Sequence, residues 1–307
     1  MSLAPPTTRT QPDPAASGIT RNRRSLGTWL RTASWRHVVG VVFSLYALMP
    51  ILYIVSASLQ SHGTLTGSNQ LFSEVSFQAY GRILTDPEHP FGRWFLNSLC
   101  IGVATAVGTV FLGALAAYSF SRMRFKGRRV GLLSLILVQM FPQLLAVVAV
   151  FMLVTKLGEL VPWLGVNSPV ALVLVYLGGA LGVNTYLMYG FFNTVPVSID
   201  EAAKLDGAGH ARIFFTIILR LVAPILAVVA LLSFIATMND FVISSVILVD
   251  PDRQTLAVGL YNMVSNPNYA DWSAFAAGAV MAALPVVVIF LALQRFIVGG
   301  LTAGAVK

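Results

Sequence analysis

The chain has 307 residues, of which 56% are hydrophobic and 10% charged, whereas a soluble domain carries roughly 25% charged residues; with a mean hydropathy of +0.77, this excludes an ordinary soluble globule and implies a membrane protein. The net charge of +8 does not argue for nucleic acid, because the basic residues border apolar runs and build no basic face on a soluble domain. A single cysteine, Cys100, excludes a disulfide framework and a cysteine metal site, and its place inside an apolar run reads as a small core residue.

Residues 1–36, rich in Pro, Thr, Ser and Arg, read as a disordered basic tail. The apolar segment that follows is too long, and its polar leader too long, for a cleaved signal peptide, so it reads as a retained anchor. A hydrocarbon core about 30 Å thick needs about 20 apolar helical residues, and six segments qualify: 38–59, 95–119, 131–154, 169–192, 221–249 and 274–298. The expected fold is an all-α membrane protein of six transmembrane helices. Residues 37–300 form its membrane domain, with a polar loop at 196–220 and a short tail at 301–307. Pro50, Pro142, Pro224 and Pro285 fall within the spans and predict kinks. Runs such as "GVATAVGTVFLGALAAYS" predict close helix packing.

Lys and Arg set the orientation. Sixteen of the twenty lie in the N-terminal tail, the loop after the second span, the 196–220 loop with its exit, and the C-terminal end. Those parts, both termini included, are therefore expected in the cytoplasm. The opposite side receives 60–94, 155–168 and 250–273, which carry only Arg82, Arg93, Lys156 and Arg253.

Between two apolar runs stands a polar island, "SIDEAAKLDGAGHARIFF", Ser198 to Phe215. Its start fits a capping box, with Ser198 as N-cap and Glu201 reaching back. Gly207 is placed to end the first short helix in a left-handed conformation, and a second helix follows from His210. Ala202, Ala203 and Ala208 offer little bulk, so another protein's surface could approach closely; the same pattern also fits a loop lying on the bilayer.

Few other polar groups stand out. Asn239 and Asp240 form a polar pair inside a span, and an intramembrane carboxylate is costly enough to suggest a function. The competing reading is structural: Asp240 lies near the outer end of the span and holds helix to helix. Gln139, Gln143, Asn184 and Tyr186 are further candidates to face a cavity. The outer segment from Val249 to Trp272 mixes turn residues with aromatics, which fits either partner docking or interfacial anchoring. No phosphate-cradling Gly-x-x-x-x-Gly-Lys-Ser/Thr and no His-Glu-x-x-His occur, and the four histidines are scattered at boundaries. Neither an enzyme nor a cofactor site is expected.

The order "EAAKLDGAGHARIFFTIIL", with "FFNTVPVSID" before it, resembles the EAA loop of bacterial ABC importer permeases. The likeness runs through most of the chain after about residue 38, including "MNDF", "TLAVGL" and the ending "GGLTAGAVK", and it is similar to the MalG-like permease subunit of maltose-type carbohydrate importers. The resemblance implies a type I ABC importer permease fold in the plasma or inner membrane. Its coupling contact with a cytoplasmic ATPase would comprise Glu201, Ala202, Ala203, Asp206 and Gly207. The run at Asn239 and Asp240 resembles a recurrent family feature, which favours packing or gating there over direct sugar contact; with Gln139 and Asn184 these are the candidates for the translocation path or its gate. In the resembling family the outer segment can meet an extracytoplasmic solute-binding protein, for which Asn262, Ser265, Asn266 and Asn268 are the docking candidates. The implied partners are a MalF-like second permease, an ABC ATPase dimer that holds ATP and magnesium, that binding protein, and a maltose-like or related oligosaccharide as cargo. One departure stands out: Leu219 is followed by Arg220 where the family commonly has proline, and Pro224 comes four residues later. The alternatives are an ion-coupled carrier using Asp240 and a non-transporting assembly subunit.

Overall fold

A computed structural model describes residues 34–61, 71–265 and 270–303, and among these there are helices and turns but no strand. The chain divides into two compact units, Met1–Ile51 and Leu52–Lys307. Helix α1, Ser34–Ser58, runs across that division. The second unit then holds α2 (Gln78–Thr85), α3 (Phe91–Arg122), α4 (Arg128–Gln139), α5 (Gln143–Leu160) and α6 (Pro169–Phe192). After these come α7 (Val197–Leu205), α8 (His210–Leu221), α9 (Ala223–Asn239), α10 (Val242–Ile247), α11 (Leu256–Val264) and α12 (Trp272–Ala303). The expected N-terminal tail lies, but for its last residues, outside the described residues, as does most of the C-terminal tail.

Among the described residues four helices are long and apolar enough to cross a membrane: α1, α3, α6 and α12 over Trp272–Phe296. The third and fifth expected spans are not continuous. The third breaks into α4 and α5, bent by 102°, with Pro142 in extended conformation between them. A proline has no N–H for the preceding turn and pushes its predecessor out of the helical region. The fifth enters through α8, turns by 79° into α9, and stops at Asn239 instead of running to 249. Counting each bent pair as one span gives six. Pro224 does not kink a helix, as the sequence suggested, but starts α9, where its missing N–H costs nothing. Pro50 and Pro285 do lie inside helices.

α3 packs along α6 and α9, and α9 along α12. Small residues set the distance, as expected: a Cβ added at Gly102 would stand 2.9 Å from the Phe234 ring, and one at Gly259 would stand 2.2 Å from the Trp94 indole. Cys100 departs from its expectation. It is exposed on α3, because the buried stripe of that helix passes through Ser98, Ile101 and Gly102 instead.

Asn167 ties the α5–α6 connection to the 249–272 segment. It adopts φ +65°, its Oδ1 accepts the N–H groups of Val249 and Asp250, and its carbonyl accepts from Arg253. Trp94 donates its indole N–H to the Pro251 carbonyl at 2.8 Å, and Ser98 Oγ accepts the N–H of Leu256 at 2.7 Å. The segment expected as an outer loop is thus pinned to α3, and it contains α11.

Candidate functional site

The polar island is a helix, a tight turn and a second helix, built on different signals from those first read in it. α7 begins after Pro196, which is extended at ψ 133°, and no side-chain cap forms. Ser198 therefore lies inside the first turn, and the capping box read from Ser198 and Glu201 is not made. Proline supplies the start, since its fixed φ suits helix entry and it leaves no N–H to cap. The end follows expectation: Gly207 has φ +79°. Its N–H bonds to the Lys204 carbonyl, and the Ala208 N–H bonds to that of Ala203, the paired closure of a Schellman motif. α8 then passes through a π-helical turn over Ile213–Ile218. Arg220, at the departure from the family pattern, is exposed, and the chain turns into α9 right after it.

The element has two faces. Ala203, Ile213, Phe214 and Ile218 are buried in one cluster with Ala114, Ala117, Met188 and Phe192 from the ends of α3 and α6. Glu201, Ala202, Lys204, Asp206 and Gly207 are exposed, and Leu205 at the tip is 90% exposed. Of the five residues assigned to the coupling contact, four face outward and Ala203 faces in, seating the helix on the bundle.

A buried ion pair joins this element to α3. Arg122 Nε stands 2.8 Å from Asp200 Oδ2, with side chains 7% and 5% exposed. The contact is ionic without hydrogen-bond alignment, for neither Asp200 oxygen accepts a hydrogen bond among the described residues. Arg122 also donates to the Val195 carbonyl at 2.8 Å and to Ser121 Oγ at 3.2 Å. Sequence reasoning counted Arg122 only toward orientation and passed over Asp200. An acidic residue with an arginine near a span end was the available signal, but their separation in sequence gave no pattern to read.

Gln139, Asn184 and Asp240, far apart in sequence, line one cavity of about 440 Å³ walled by α3, α4, α5, α6, α9 and α10. Asn239 is exposed and does not line it, nor does Tyr186. Asp240 Oδ2 accepts from the Tyr176 hydroxyl at 2.7 Å and from the Ser244 N–H at 2.9 Å. It thus links α9 to α6 and caps α10, which explains why α9 stops where it does. Thr105, Tyr176 and Ser233 share the lining; none was singled out from sequence.

In the 249–272 segment, Asn262 donates to Gln254 Oε1 at 3.1 Å and Ser265 to the Asn262 carbonyl at 2.9 Å. Both remain exposed. Asn266 and Asn268 lie outside the described residues. Nearby, Arg82 donates to Asp271 at 2.9 Å, to the Ser61 carbonyl at 2.6 Å and to Ser273 Oγ at 3.0 Å. Burial pulls the Asp271 carboxyl up, but hydrogen bonds from the Ala274 N–H, Arg82 and Ser273 outweigh it and hold the group below its ordinary value.

Residues 109–302 match the family described as the binding-protein-dependent transport system inner membrane component. The galactooligosaccharides transport system permease protein GanQ of Bacillus subtilis is 41% identical, over 84% of this chain and 89% of its own length. The maltose/maltodextrin transport system permease protein MalG of Escherichia coli K12 is 39% identical, over 88% and 94%. Among solved structures, a bacterial ABC transporter involved in the import of the acidic polysaccharide alginate contains a chain with a TM-score of 0.73 and 25% identity, covering 87% of this chain and 97% of that one. With an all-helical frame of four to six candidate spans among the described residues, a polar island packed on the ends of α3 and α6, and relatives matched over most of their length, this chain belongs to the binding-protein-dependent transport system inner membrane components, on the MalG-like side of that family.

Proposed function

We propose that this chain is a permease subunit of an ATP-driven, binding-protein-dependent importer of maltose-like or related oligosaccharides, and that the 196–220 element couples it to a separate ATPase. The observation that carries the reading is the two-faced island. Its inner face is locked to the bundle by Ala203, Ile213, Phe214 and Ile218 and by the Arg122–Asp200 pair, so a push on Glu201, Leu205 or Asp206 passes to α3, α6 and α9. An element held so firmly moves with the helices it is packed on. Closure of an ATPase dimer against it would then switch the bundle between inward-open and outward-open states, provided the contact differs in strength between them. ATP and magnesium belong to that ATPase, both termini face the cytoplasm, and a second permease completes the pathway. Asn262 and Ser265 stand on the outer side for the binding protein. The names of the two relatives support an oligosaccharide as cargo.

The test is co-purification through a tag on this chain of the complex with its partner permease, ATPase and binding protein, followed by ATP hydrolysis with and without loaded binding protein. Stimulation by the binding protein, abolished by Glu201→Ala in an intact complex, is the expected result. A well-folded chain that retains no ATPase, or a Glu201→Ala complex stimulated like the wild type, would sink the reading. Proton-dependent uptake by the chain alone would favour the ion-coupled alternative.

A further inference from the structure

The loop that joins α3 to α4 gathers positive charge with nothing to balance it. Arg124, Lys126, Arg128 and Arg129 stand close together, and the sequence has no Asp or Glu between Glu88 and Glu159. Among the described residues none of the four enters an ion pair, and the one carboxylate that reaches the end of α3, Asp200, is taken by Arg122. Arg124, Lys126 and Arg129 are exposed, and their side chains make no hydrogen bond among the described residues.

Local packing gives this charge a shape. Gly127, at φ +88°, turns the chain in a conformation that a side chain would strain, so that Arg124 and Phe125 share a cavity of about 380 Å³ with Arg128, Arg129 and Val130. Arg128 is fixed there: it donates to the Tyr189 hydroxyl at 3.1 Å and its guanidinium lies 5.7 Å from the centre of that ring. Phe125 packs on Phe120 with ring centres 5.6 Å apart, and a Cβ added at Gly131 would stand 3.2 Å from the Phe120 ring, so α4 starts close against the end of α3. Three guanidinium groups thus line one concavity, and their planar forks match the oxygens of a phosphate. Val130 belongs to the cavity and also opens a stripe on α4 with Leu133 and Leu137, at the spacing of one helix face. All three are more than half exposed, at 68%, 59% and 63%.

We infer that this is a binding site for an anionic phospholipid, whose phosphate lies among Arg124, Arg128 and Arg129 and whose acyl chains run along Val130, Leu133 and Leu137. The cationic cavity and the apolar stripe are continuous and call for one amphipathic molecule. Inorganic phosphate or an acidic protein surface would answer the charge and leave the stripe in water, while a zwitterionic lipid would cover the stripe but bring a cation of its own among the arginines. The place fits as well: α3, which ends at Arg122, is long and apolar enough to cross a membrane, so the loop after it stands at headgroup level, where an anionic leaflet attracts basic clusters. The inference depends neither on the cargo nor on what drives its transport.

The test uses the full chain, purified with its co-expressed partner subunits, stripped of lipid in detergent and titrated with phosphatidylglycerol, cardiolipin or phosphatidylcholine, bound lipid being counted by native mass spectrometry. The two anionic lipids are expected to fill a saturable site that phosphatidylcholine does not. Arg124→Gln and Arg129→Gln alter exposed side chains without partners among the described residues, so folding should survive; each should weaken the anionic lipid about fivefold, and the two together about twenty-five-fold. Leu133→Gln should also weaken it, and millimolar inorganic phosphate should not displace it. Displacement by inorganic phosphate together with unchanged binding in Leu133→Gln would make this a site for a free anion. A doubly substituted chain that keeps its lipid but loses the ATPase would make the loop a protein contact. Either result overturns the lipid site, as does equal binding of all three lipids. Stimulation of ATP hydrolysis by the binding protein tests the importer reading separately.

Discussion

Asp200→Asn keeps the shape of the side chain and removes its charge, leaving Arg122 buried without a counter-ion. Losing one partner of a buried ion pair costs about 3–5 kcal/mol. Arg122 keeps the Val195 carbonyl and Ser121 Oγ as acceptors, which places the expected loss at the low end, about 3 kcal/mol on the same scale. The effect concentrates where α7 meets the end of α3, so α7 should open locally before the bundle unfolds. Hydrogen exchange of the complex in nanodiscs reads this directly: amides of 197–205 should exchange about a hundredfold faster than in the wild type, at about 1.4 kcal/mol per tenfold. Pairing Arg122→Met with Asp200→Leu removes both charges and should recover most of the protection, because apolar replacement of a buried pair is often neutral. Unchanged exchange in Asp200→Asn, or a double variant as labile as the single one, would refute the claim that this pair holds the island to the bundle.

Three further outcomes follow from the same structure. Gly207→Val should lower stability by about 1–2 kcal/mol through left-handed backbone strain alone, since a Cβ there meets nothing within 4 Å; Gly207→Asn should lose much less, as thermal midpoints and ATPase retention will show. Gly259→Ala drives a methyl to 2.2 Å from the buried Trp94 ring and should cost about 1–3 kcal/mol by overpacking, with Trp94→Leu in the same chain restoring part of the melting temperature. The Asp271 carboxyl is held below its ordinary value, so its contribution is complete above about pH 3.9, the unfolded-state value. That contribution is lost only as pH falls through the lower folded value. The gap in thermal midpoint between wild type and Asp271→Asn should therefore stay level from about pH 5 to 8 and close toward pH 3.

The sequence by itself determined whatever depends on near neighbours. Long apolar runs required helices, because in lipid the backbone must satisfy its own hydrogen bonds. Gly207 could take the left-handed turn that ends α7 without strain, and the small-residue run that begins at Gly102 announced close approaches. Even locally, competing signals misled: Ser198 and Glu201 spelled a cap that Pro196 made unnecessary, and Pro224 read as a kink where it begins a helix. Tertiary structure alone decided everything that needed distant residues to meet. Asp200 becomes half of a buried pair only once α7 lies against the end of α3, and Cys100 faces outward because the buried stripe of α3 runs through its neighbours. Gln139, Asn184, Asp240 and Thr105 come to line one cavity only when six helices converge. The reason is physical: an intrahelical hydrogen bond joins residues four apart, whereas the partner of a side chain is set by the bundle, and no local pattern of the chain records that choice.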